Sequence, residues 1–268
     1  MIIIPAVDIL DSKCVRLTKG NYKDKKNYKL TPVEAALNWQ SQGAKRLHVV
    51  DLDGAKSGNP ENFDIINDIV KSVNIPVEIG GGIRDDETIE NYFNAGASYV
   101  ILGSILFKNI GGIVKSLGKY KGKIIAGLDL FNKKIALSGW TEKIEIDFYD
   151  AVDNLYNNYC VNRFIFTDIN RDGMLKGPNI DFIKECSSIC KNVQKIAKNN
   201  TDSSLCNANN NEDNAINNIK FIASGGVSCI DDVRMLRDLY LDNMIGIITG
   251  KALYDERLNL EEAIKTLQ

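Results

Sequence analysis

Short apolar runs rich in β-branched residues recur along this chain and alternate with stretches of helical periodicity. The runs occupy residues 2–7, 46–50, 76–79, 99–102, 123–128, 163–166, 219–223 and 244–249. Most are apolar throughout, which is typical of parallel strands covered on both faces. Eight such strands, each followed by a helix, predict a (β/α)8 barrel, the TIM barrel fold. The alternative is a doubly wound open sheet, but the G-x-G-x-x-G that usually follows its first strand is missing.

Helix ends can be read from the residues between the strands. The Thr-Pro-Val-Glu at 31–34 predicts a capping box with proline at the first helical position, and Gly43 would end that helix. Residues 59–60 and Ser228 are similar helix starts. The length suits one barrel domain spanning residues 1–268.

The two halves of the chain carry matching motifs where strands end. Asp8 and Asp129 close the first and fifth runs and are 121 positions apart. The further pairs are Val50-Asp51-Leu52 with Thr167-Asp168-Ile169, Gly80-Gly81-Gly82-Ile83 with Ser224-Gly225-Gly226-Val227, and Gly103-Ser104 with Gly250-Lys251. This repetition predicts a duplication that gives two half-barrels, about 1–120 and 121–268.

The spacing of these pairs changes in the second half of the chain. It is 117 positions for the aspartates of strands 2 and 6 but 144 for the glycines after strands 3 and 7, so about 27 residues have been added between strands 6 and 7. Residues 199–218 supply most of them, and nine of these twenty are asparagine. Such a polar segment lacks the aliphatic residues to fold alone. We expect a disordered surface loop on the face opposite the βα loops, with a docking segment for a partner as the alternative.

Composition excludes several classes of function. Lys+Arg 33 against Asp+Glu 35 leave a net charge of −2, so there is no global basic field to bind a nucleic-acid backbone. No apolar run approaches the ~20 residues of a membrane span, and the N-terminus lacks the basic region of a signal peptide. We therefore expect a cytoplasmic chain that binds neither nucleic acid nor membrane.

The side chains available for chemistry are also restricted. His48 is the single histidine, so a two-His metal site cannot be built. The six cysteines contain no C-x-x-C pair, and we expect free thiols rather than disulfides or zinc ligands. No metal site is predicted, and chemistry must fall mainly to carboxylates, hydroxyls, Lys and Arg side chains and the backbone.

Glycines follow four of the predicted strands, where a bare backbone can approach an anion closely. Gly81-Gly82 and Gly103-Ser104 follow strands 3 and 4, and Gly225-Gly226 and Gly250-Lys251 follow strands 7 and 8. In barrels, the loops after strands 7 and 8 often bind phosphate. A single glycine pair can be only a tight turn, but four in matched positions predict two phosphate sites. A small molecule phosphorylated at both ends would fit them.

Asp8 and Asp129 end opposed strands, so we expect both carboxylates to face one mouth of the barrel. Two carboxylates across a pocket can act as base and acid when burial separates their pKa values. Four more aspartates lie near the ends of strands 2 and 6: Asp51, Asp53, Asp168 and Asp172. For Asp51 and Asp168, capping of the next helix or turn remains an open alternative to a role in the site.

Two further residues have a functional and a packing interpretation. His48 lies inside strand 2 between Leu47 and Val49, where a hydrogen-bonded core residue is the alternative to a contact with substrate. Trp140 follows the hairpin-like segment 131–136, and an aromatic side chain on a loop at the site can stack on a heterocycle or pack within the loop.

The motifs along the whole chain, apart from residues 199–218, resemble the isomerases of histidine biosynthesis that act on phosphoribosylformimino-aminoimidazole carboxamide ribotide. The matching stretches are Ile4-Pro5-Ala6-Val7-Asp8, Val15-Arg16-Leu17 with Gly20, residues 47–55, Gly80-Gly81-Gly82-Ile83-Arg84, Gly139-Trp140, residues 167–173, Ser224-Gly225-Gly226-Val227 and Gly250-Lys251-Ala252-Leu253. Their order makes the resemblance specific, although single glycine pairs occur in many phosphate-binding barrels. Departures are small: Lys251 stands where arginine is frequent, and Met174 where threonine is common.

The resemblance implies a substrate with two phosphoribosyl ends and an Amadori rearrangement of an aminoaldose to an aminoketose, without cofactor or metal. An acid opens the ribose ring to a protonated Schiff base, a base removes the proton at C2, and the enolamine collapses to the ketose. By resemblance Asp8 is the base and Asp129 the acid, with Asp172 as a rival for the acid. The chain is expected to act as a monomer.

The same resemblance implies roles in binding. Thr167 would hydrogen-bond the opening sugar, and Trp140 would stack on the imidazole ring. Arg16 and Arg84 would help to fix phosphate or carboxamide, and His48 is a further candidate for substrate binding. The phosphate-binding candidates are Gly81, Gly82, Gly103, Ser104, Gly225, Gly226, Gly250 and Lys251.

Three alternatives remain at this point. The cyclase subunit of imidazole glycerol phosphate synthase shares both phosphate sites and both aspartates, but it usually has cysteine where Ala6 stands and lysine near Arg16, and it requires a glutaminase partner. An isomerase that also accepts phosphoribosylanthranilate would use the same acid and base. A non-catalytic binder of phosphorylated ligands is disfavoured because Asp8 and Asp129 are both present.

Overall fold

The computed structural model describes residues 1–18, 20–132, 134–137, 140, 142–143 and 146–199, together with 218–268. For residues 142–143 the backbone alone is described. The expected Asn-rich loop, apart from its two end residues, lies outside the described residues, and so does Gly139 of the Gly-Trp pair.

The strands of the described residues are, in chain order, β1 (Ile2–Leu10), β2 (Lys13–Thr18), β3 (Asn21–Asn27), β4 (Leu47–Asp51), β5 (Val77–Gly80), β6 (Tyr99–Leu102), β7 (Ile124–Phe131), β8 (Lys134–Leu137), β9 (Glu142–Lys143), β10 (Arg163–Asp168), β11 (Lys220–Ser224) and β12 (Met244–Thr249). Eight of them pair in parallel in the order β1, β4, β5, β6, β7, β10, β11 and β12, and β12 pairs with β1 to close the ring. The predicted (β/α)8 TIM barrel is confirmed.

The helices of the described residues lie mainly between these strands. They are α1 (Pro32–Ser41), α2 (Leu52–Ser57), α3 (Phe63–Ser72), α4 (Asp86–Asn94), α5 (Ile105–Lys108), α6 (Val114–Lys119), α7 (Phe148–Tyr159), α8 (Ile180–Asn199), α9 (Ile230–Arg237), α10 (Lys251–Tyr254) and α11 (Leu260–Thr266), with a short 3-10 helix at Ile110–Ile113. None of them is both long enough and apolar enough to cross a membrane.

Alternation along the strands separates two apolar layers. In β1, Ile3 and Val7 point outward into the main core beneath the helices, whereas Ile4 and Ala6 point into the barrel. The interior cluster is completed by residues from the second half of the ring: Ile125, Ile165, Ile222 and Ile248. Continuing the same alternation, Asp8 falls on the inward face above Ala6, which is what aims its carboxylate at the mouth.

Two hairpins extend the barrel on one face. β2 and β3 follow β1 as an antiparallel extension, and β8 and β9 follow β7 in the same way. Consequently β1 and β7 run two residues beyond Asp8 and Asp129, and the two aspartates lie inside strands rather than at their last residues. The sequence predicted 131–136 as hairpin-like but did not predict β2 and β3.

Helix starts were predicted with mixed success. The capping box at Thr31 is present, since its Oγ1 accepts a hydrogen bond from the Glu34 backbone amide at 3.3 Å and the Glu34 carboxylate accepts one from the Thr31 backbone amide at 2.8 Å. The predicted start at 59–60 is wrong, because α3 begins at Phe63 after an Asn62 cap. The chain between α2 and α3 instead winds around buried Asp51, as described below.

The cysteines follow the free-thiol expectation with one exception. Cys14, Cys186, Cys190 and Cys229 are free thiols. Cys160, at the carboxyl end of α7, is disulfide-bonded, so the expectation is wrong at that position. Cys206 lies outside the described residues.

Candidate active site

A cavity of about 310 Å³ opens at the carboxyl ends of the barrel strands. All eight barrel strands contribute side chains or backbone to its lining, as do the loops that follow β1, β4 and β10. Every candidate site residue that the sequence singled out lines this cavity, from Asp8 and Arg16 near the start of the chain to Gly250 and Lys251 near its end. The candidate capping residues Asp51 and Asp168 do not line it.

Asp8 faces the cavity as one half of an ion pair. Its Oδ2 accepts a hydrogen bond from Nη1 of Arg16, which β2 brings back beside β1, and both side chains are 13% exposed. Burial is the largest effect on the pKa of Arg16 and lowers it, but the neighbouring acidic groups, Asp8 foremost, together more than offset this, and the pKa lies above its ordinary value. Arg16 therefore keeps its charge, and Asp8 sits beside a permanent cation.

Asp129 stands on the opposite side of the ring. Three barrel strands separate β7 from β1 in either direction. Oδ2 of Asp129 accepts a hydrogen bond from the Trp140 indole Nε1 at 2.7 Å. Burial raises the pKa of Asp129, and hydrogen bonds from Trp140 and Thr167 offset part of that rise. A carboxyl with a raised pKa is suited to hold the proton that a general acid must donate.

Asp172 reaches the same cavity from the loop that follows β10. Burial raises its pKa to about 6, although Arg16 lowers it, and the charges of Asp8 and Asp129 add to the rise. The next residue is Gly173, whose backbone lies so close to β2 that an added Cβ would sit 2.7 Å from the Leu17 carbonyl oxygen. Glycine at this position lets the loop bring Asp172 next to Arg16.

Asp51 and Asp168 have structural roles. Asp51 is fully buried, and its carboxylate accepts hydrogen bonds from the backbone amides of Gly54, Glu61 and Asn62 and from the Asn62 side chain. Asp168 accepts from the Asn170 amide. It also accepts from a second asparagine side chain, Asn179, which like Asn62 lies eleven positions beyond its aspartate. The capping alternative is therefore the correct one for both aspartates.

The glycine pairs after β5 and β11 lie against these aspartate turns. Gly81 and Gly225 have φ of +105° and +100°, in the left-handed region that favours glycine. An added Cβ would lie 2.1 Å from the Asp51 carbonyl oxygen in the first case and 2.8 Å from that of Asp168 in the second. Backbone amides in such loops are close to the cavity and free of side-chain cover, which suits an anion.

The second glycine position of each proposed anion site differs between the two halves. A Cβ on Gly103 would meet nothing nearer than 3.6 Å, whereas one on Gly250 would lie 1.0 Å from Nη2 of Arg16. Arg16 therefore lies across Gly250 while it pairs with Asp8. Lys251, beside Gly250, donates to the Gly173 carbonyl oxygen at 3.0 Å and so links this anion site to the loop that carries Asp172.

Trp140 and Arg84 also line the cavity, and each packs on a glycine. The Trp140 ring packs on Gly20, where an added Cβ would lie 2.5 Å from its Cε3 atom. Trp140 itself has φ of +72°, a strained value for a residue with a side chain. Arg84 is exposed and packs against Gly58. Stacking of Trp140 on a heterocycle and phosphate or carboxamide contacts by Arg84 remain proposals.

Sequence reasoning missed Glu78, a fully buried carboxylate in β5. Its Oε1 lies 2.9 Å from Nδ1 of His48, and its Oε2 lies 3.3 Å from Nη1 of Arg46. Glu78 was counted within the apolar run 76–79. The signal that could have found it is strand parity: it lies two positions before Gly80, hence on the same inward face.

Comparisons with known proteins agree with this geometry. The family model described as "Histidine biosynthesis protein" matches residues 2–198. A protein of Clostridium botulinum named 1-(5-phosphoribosyl)-5-((5-phosphoribosylamino)methylideneamino) imidazole-4-carboxamide isomerase is 39% identical over 267 residues, covering 100% of this chain and 98% of its own. Proteins of the same name from Ruminiclostridium cellulolyticum and Prochlorococcus marinus are each 41% identical over 268 residues, covering 98% and 100% of this chain and 99% and 94% of theirs. The chain, a closed barrel matched along its length by such relatives, belongs to the histidine biosynthesis protein family.

Proposed function

We propose that the chain catalyses the isomerisation for which these relatives are named, converting a bis-phosphorylated aminoaldose to its aminoketose. The observation that carries the proposal is that Asp8 and Asp129 face one cavity from opposed strands, between two glycine-lined loops. The substrate named for the relatives carries a phosphoribosyl group at each end. Each of its phosphates therefore has one site, formed by Gly81, Gly82, Gly103 and Ser104 or by Gly225, Gly226, Gly250 and Lys251.

The reaction needs one acid and one base and no net change in composition. The acid donates a proton to the ribose ring oxygen, the bond from C1 to that oxygen breaks, and the nitrogen lone pair forms the protonated Schiff base. The base then takes the proton from C2, which leaves an enolamine. Loss of the proton on the C2 hydroxyl and protonation of C1 give the ketose. Each general acid or base step supplies roughly 10²–10⁴-fold.

The two carboxylates are suited to different steps. Asp8 ion-pairs with Arg16, so it carries the charge that a base needs to accept the C2 proton. Asp129 has a pKa raised by burial, which suits the group that donates a proton to the ring oxygen. Thr167 stands opposite Asp129 in the β7–β10 register and hydrogen-bonds it, which supports the proposal that its hydroxyl contacts the opening sugar.

The site is formed within one chain. Both anion sites and the aspartates Asp8, Asp129 and Asp172 come from a single closed ring of strands. Because no second copy is needed to complete the cavity, the proposed active form is the monomer.

An absorbance assay with the purified chain tests the function. We expect saturable conversion of the bis-phosphorylated formimino aminoaldose, with inorganic phosphate acting as a competitive inhibitor because it occupies the glycine-lined loops. Absence of conversion would refute the proposed function. Phosphoribosylanthranilate in the same assay measures how broad the substrate range is.

A further inference from the structure

The interior of the first half-barrel contains charged side chains that the mechanism above does not use. Glu78 has no exposed surface, and its two oxygens have different partners, His48 on Oε1 and Arg46 on Oε2. His48 lines the cavity, whereas Glu78 and Arg46 lie beneath it. Glu78 therefore connects a cavity residue to a cation in the layer below.

The matched positions in the second half-barrel are apolar. The offset of 117 positions pairs His48 with Ile165, and the offset of 144 pairs Glu78 with Ile222. Both isoleucines are buried, at 3% and 1% exposure, in the cluster inside the barrel. Since burial of an ion pair is often no better for stability than apolar packing of the same volume, packing does not explain why Glu78 and Arg46 are here.

The hydrogen bond from His48 to Glu78 determines which ring nitrogen carries the hydrogen. The carboxylate of Glu78 pairs with a guanidinium and can only accept, so Nδ1 of His48 is the donor. Nε2, on the other edge of the ring, is left without a hydrogen in the neutral form. His48 also interacts electrostatically with Asp129 and Asp172, so the ring lies near both second-half carboxyl groups.

Building on the proposed function, we propose that Glu78 is a positioning residue that fixes His48 with its hydrogen on Nδ1, so that Nε2 accepts a hydrogen bond from a hydroxyl of the substrate sugar. Arg46 holds the second oxygen of Glu78 and keeps the carboxylate in the plane that His48 requires. In this arrangement His48 touches the substrate, and Glu78 and Arg46 act through it.

Nuclear magnetic resonance can show directly which ring nitrogen of His48 carries the hydrogen, because His48 is the single histidine of the chain. Labelling histidine with nitrogen-15 gives a spectrum of one imidazole ring. In the neutral ring of substrate-free wild-type protein we expect the hydrogen on Nδ1. A ring protonated on Nε2 would overturn the proposal. This measurement needs neither substrate nor a variant, so it stands even if the proposed function fails.

The variant Glu78→Gln tests the positioning role. Arg46 only donates, so the new amide oxygen must turn to Arg46 and its NH2 group to Nδ1 of His48. We therefore expect the ring hydrogen to move to Nε2 and kcat to fall about tenfold or more, with KM little changed. A folded variant in which the hydrogen stays on Nδ1 or kcat is unchanged would contradict the proposal.

Two further variants separate positioning from packing. Glu78→Ile gives position 78 the residue of its second-half counterpart, and Arg46→Met with it leaves no buried charge alone. This double variant serves if the glutamine variant does not fold, and a mixture of ring tautomers and the same fall in kcat are expected. Arg163→Met is the matched control. Arg163 occupies the position equivalent to Arg46 and, like it, stacks on Tyr99, but it donates to the Gly122 carbonyl. An equal loss of kcat in Arg163→Met would assign the effect to packing and refute the proposal.

Discussion

The first half of the barrel, from β1 to β6, and the second half, from β7 to β12, hold their glycine loops, the proposed anion sites, with equivalent residues. In each half, a buried aspartate ends the second barrel strand, Asp51 in β4 and Asp168 in β10. It accepts a hydrogen bond from an asparagine eleven positions later, at 2.7 Å from Asn62 and 2.9 Å from Asn179. In each, a glycine with φ near +100° packs on the backbone of that aspartate, Gly81 in one half and Gly225 in the other. These matched contacts support the half-barrel duplication that we propose.

The halves differ in the side chains that face the reacting centre. Asp8 pairs with a guanidinium, whereas Asp129 pairs with an indole and a hydroxyl and has a raised pKa. The first half adds His48 above a buried carboxylate, at positions where the second half has isoleucine. The comparison teaches that the backbone of the loops is repeated and the side chains beside them are not, which is the arrangement expected if similar loops bind two similar phosphates while dissimilar aspartates supply the proposed base and acid.

The largest expected effect comes from Asp8→Asn, which removes the proposed base. An amide cannot take the C2 proton, so we expect kcat to fall by about 10³-fold, within the usual range for a general base. Steady-state kinetics with the aminoaldose measures it. Asp53→Asn is the control, because Asp53 lies near the mouth, binds Asn62 and the Asp11 amide, and does not line the cavity. A variant Asp8→Asn that keeps a tenth of the wild-type kcat would show that the division of roles is wrong.

The next effect distinguishes the two candidate acids. We expect Asp129→Asn to lower kcat by about 10²-fold and Asp172→Asn to lower it less. A general acid works protonated, so activity is lost as the pH rises through its pKa. Asp172, with a pKa of about 6, would give a fall above that pH. If this alkaline fall disappears in Asp172→Asn and persists in Asp129→Asn, the acid is Asp172 and not Asp129.

A smaller effect is expected from the paired glycines after β6 and β12. Gly250→Ala should lower kcat/KM by about tenfold, because the new Cβ displaces the Arg16 guanidinium from Asp8. Gly103→Ala, the matched change, has room for its Cβ and should be close to wild type. Kinetics of the two variants, with circular dichroism to show that both fold, gives the comparison. Equal losses would mean that both positions act only by binding phosphate, and that the Arg16 contact is irrelevant.

Sequence patterns predicted what depends on periodicity and on glycine. The eight barrel strands were located within a few residues, because each is a short apolar run, and the residues of the cavity followed from their positions after those runs. The predictions that failed concern features that depend on contacts between residues distant in sequence. The start of α3 is set by Asp51, twelve residues earlier, which accepts hydrogen bonds from the Glu61 and Asn62 backbone amides. Glu78 was missed because its partners, Arg46 and His48, lie on a neighbouring strand some thirty positions away.

The smallest expected effect concerns the asparagines that brace the two anion loops. Asn62 is 5% exposed and donates to both Asp51 and Asp53, whereas Asn179 is half-buried and donates to Asp168 alone, at 2.9 Å. Removing a partner from a buried carboxylate costs about 1–3 kcal/mol. We therefore expect Asn62→Ala to lower the free energy of unfolding by ~2 kcal/mol and Asn179→Ala by ~1 kcal/mol, measured by urea denaturation.

Because both asparagines act on loop backbone and not on the reacting centre, kcat should be nearly the same in the two variants while KM rises in each. The rise should be larger for Asn62→Ala, since Asp51 is fully buried and has no water to replace the lost donor, and its carbonyl supports Gly81. A variant that loses stability without any change in KM would show that the Asp–Asn contact does not support the proposed anion site. The repeated contact would then stabilise the fold in both halves and have no part in phosphate binding.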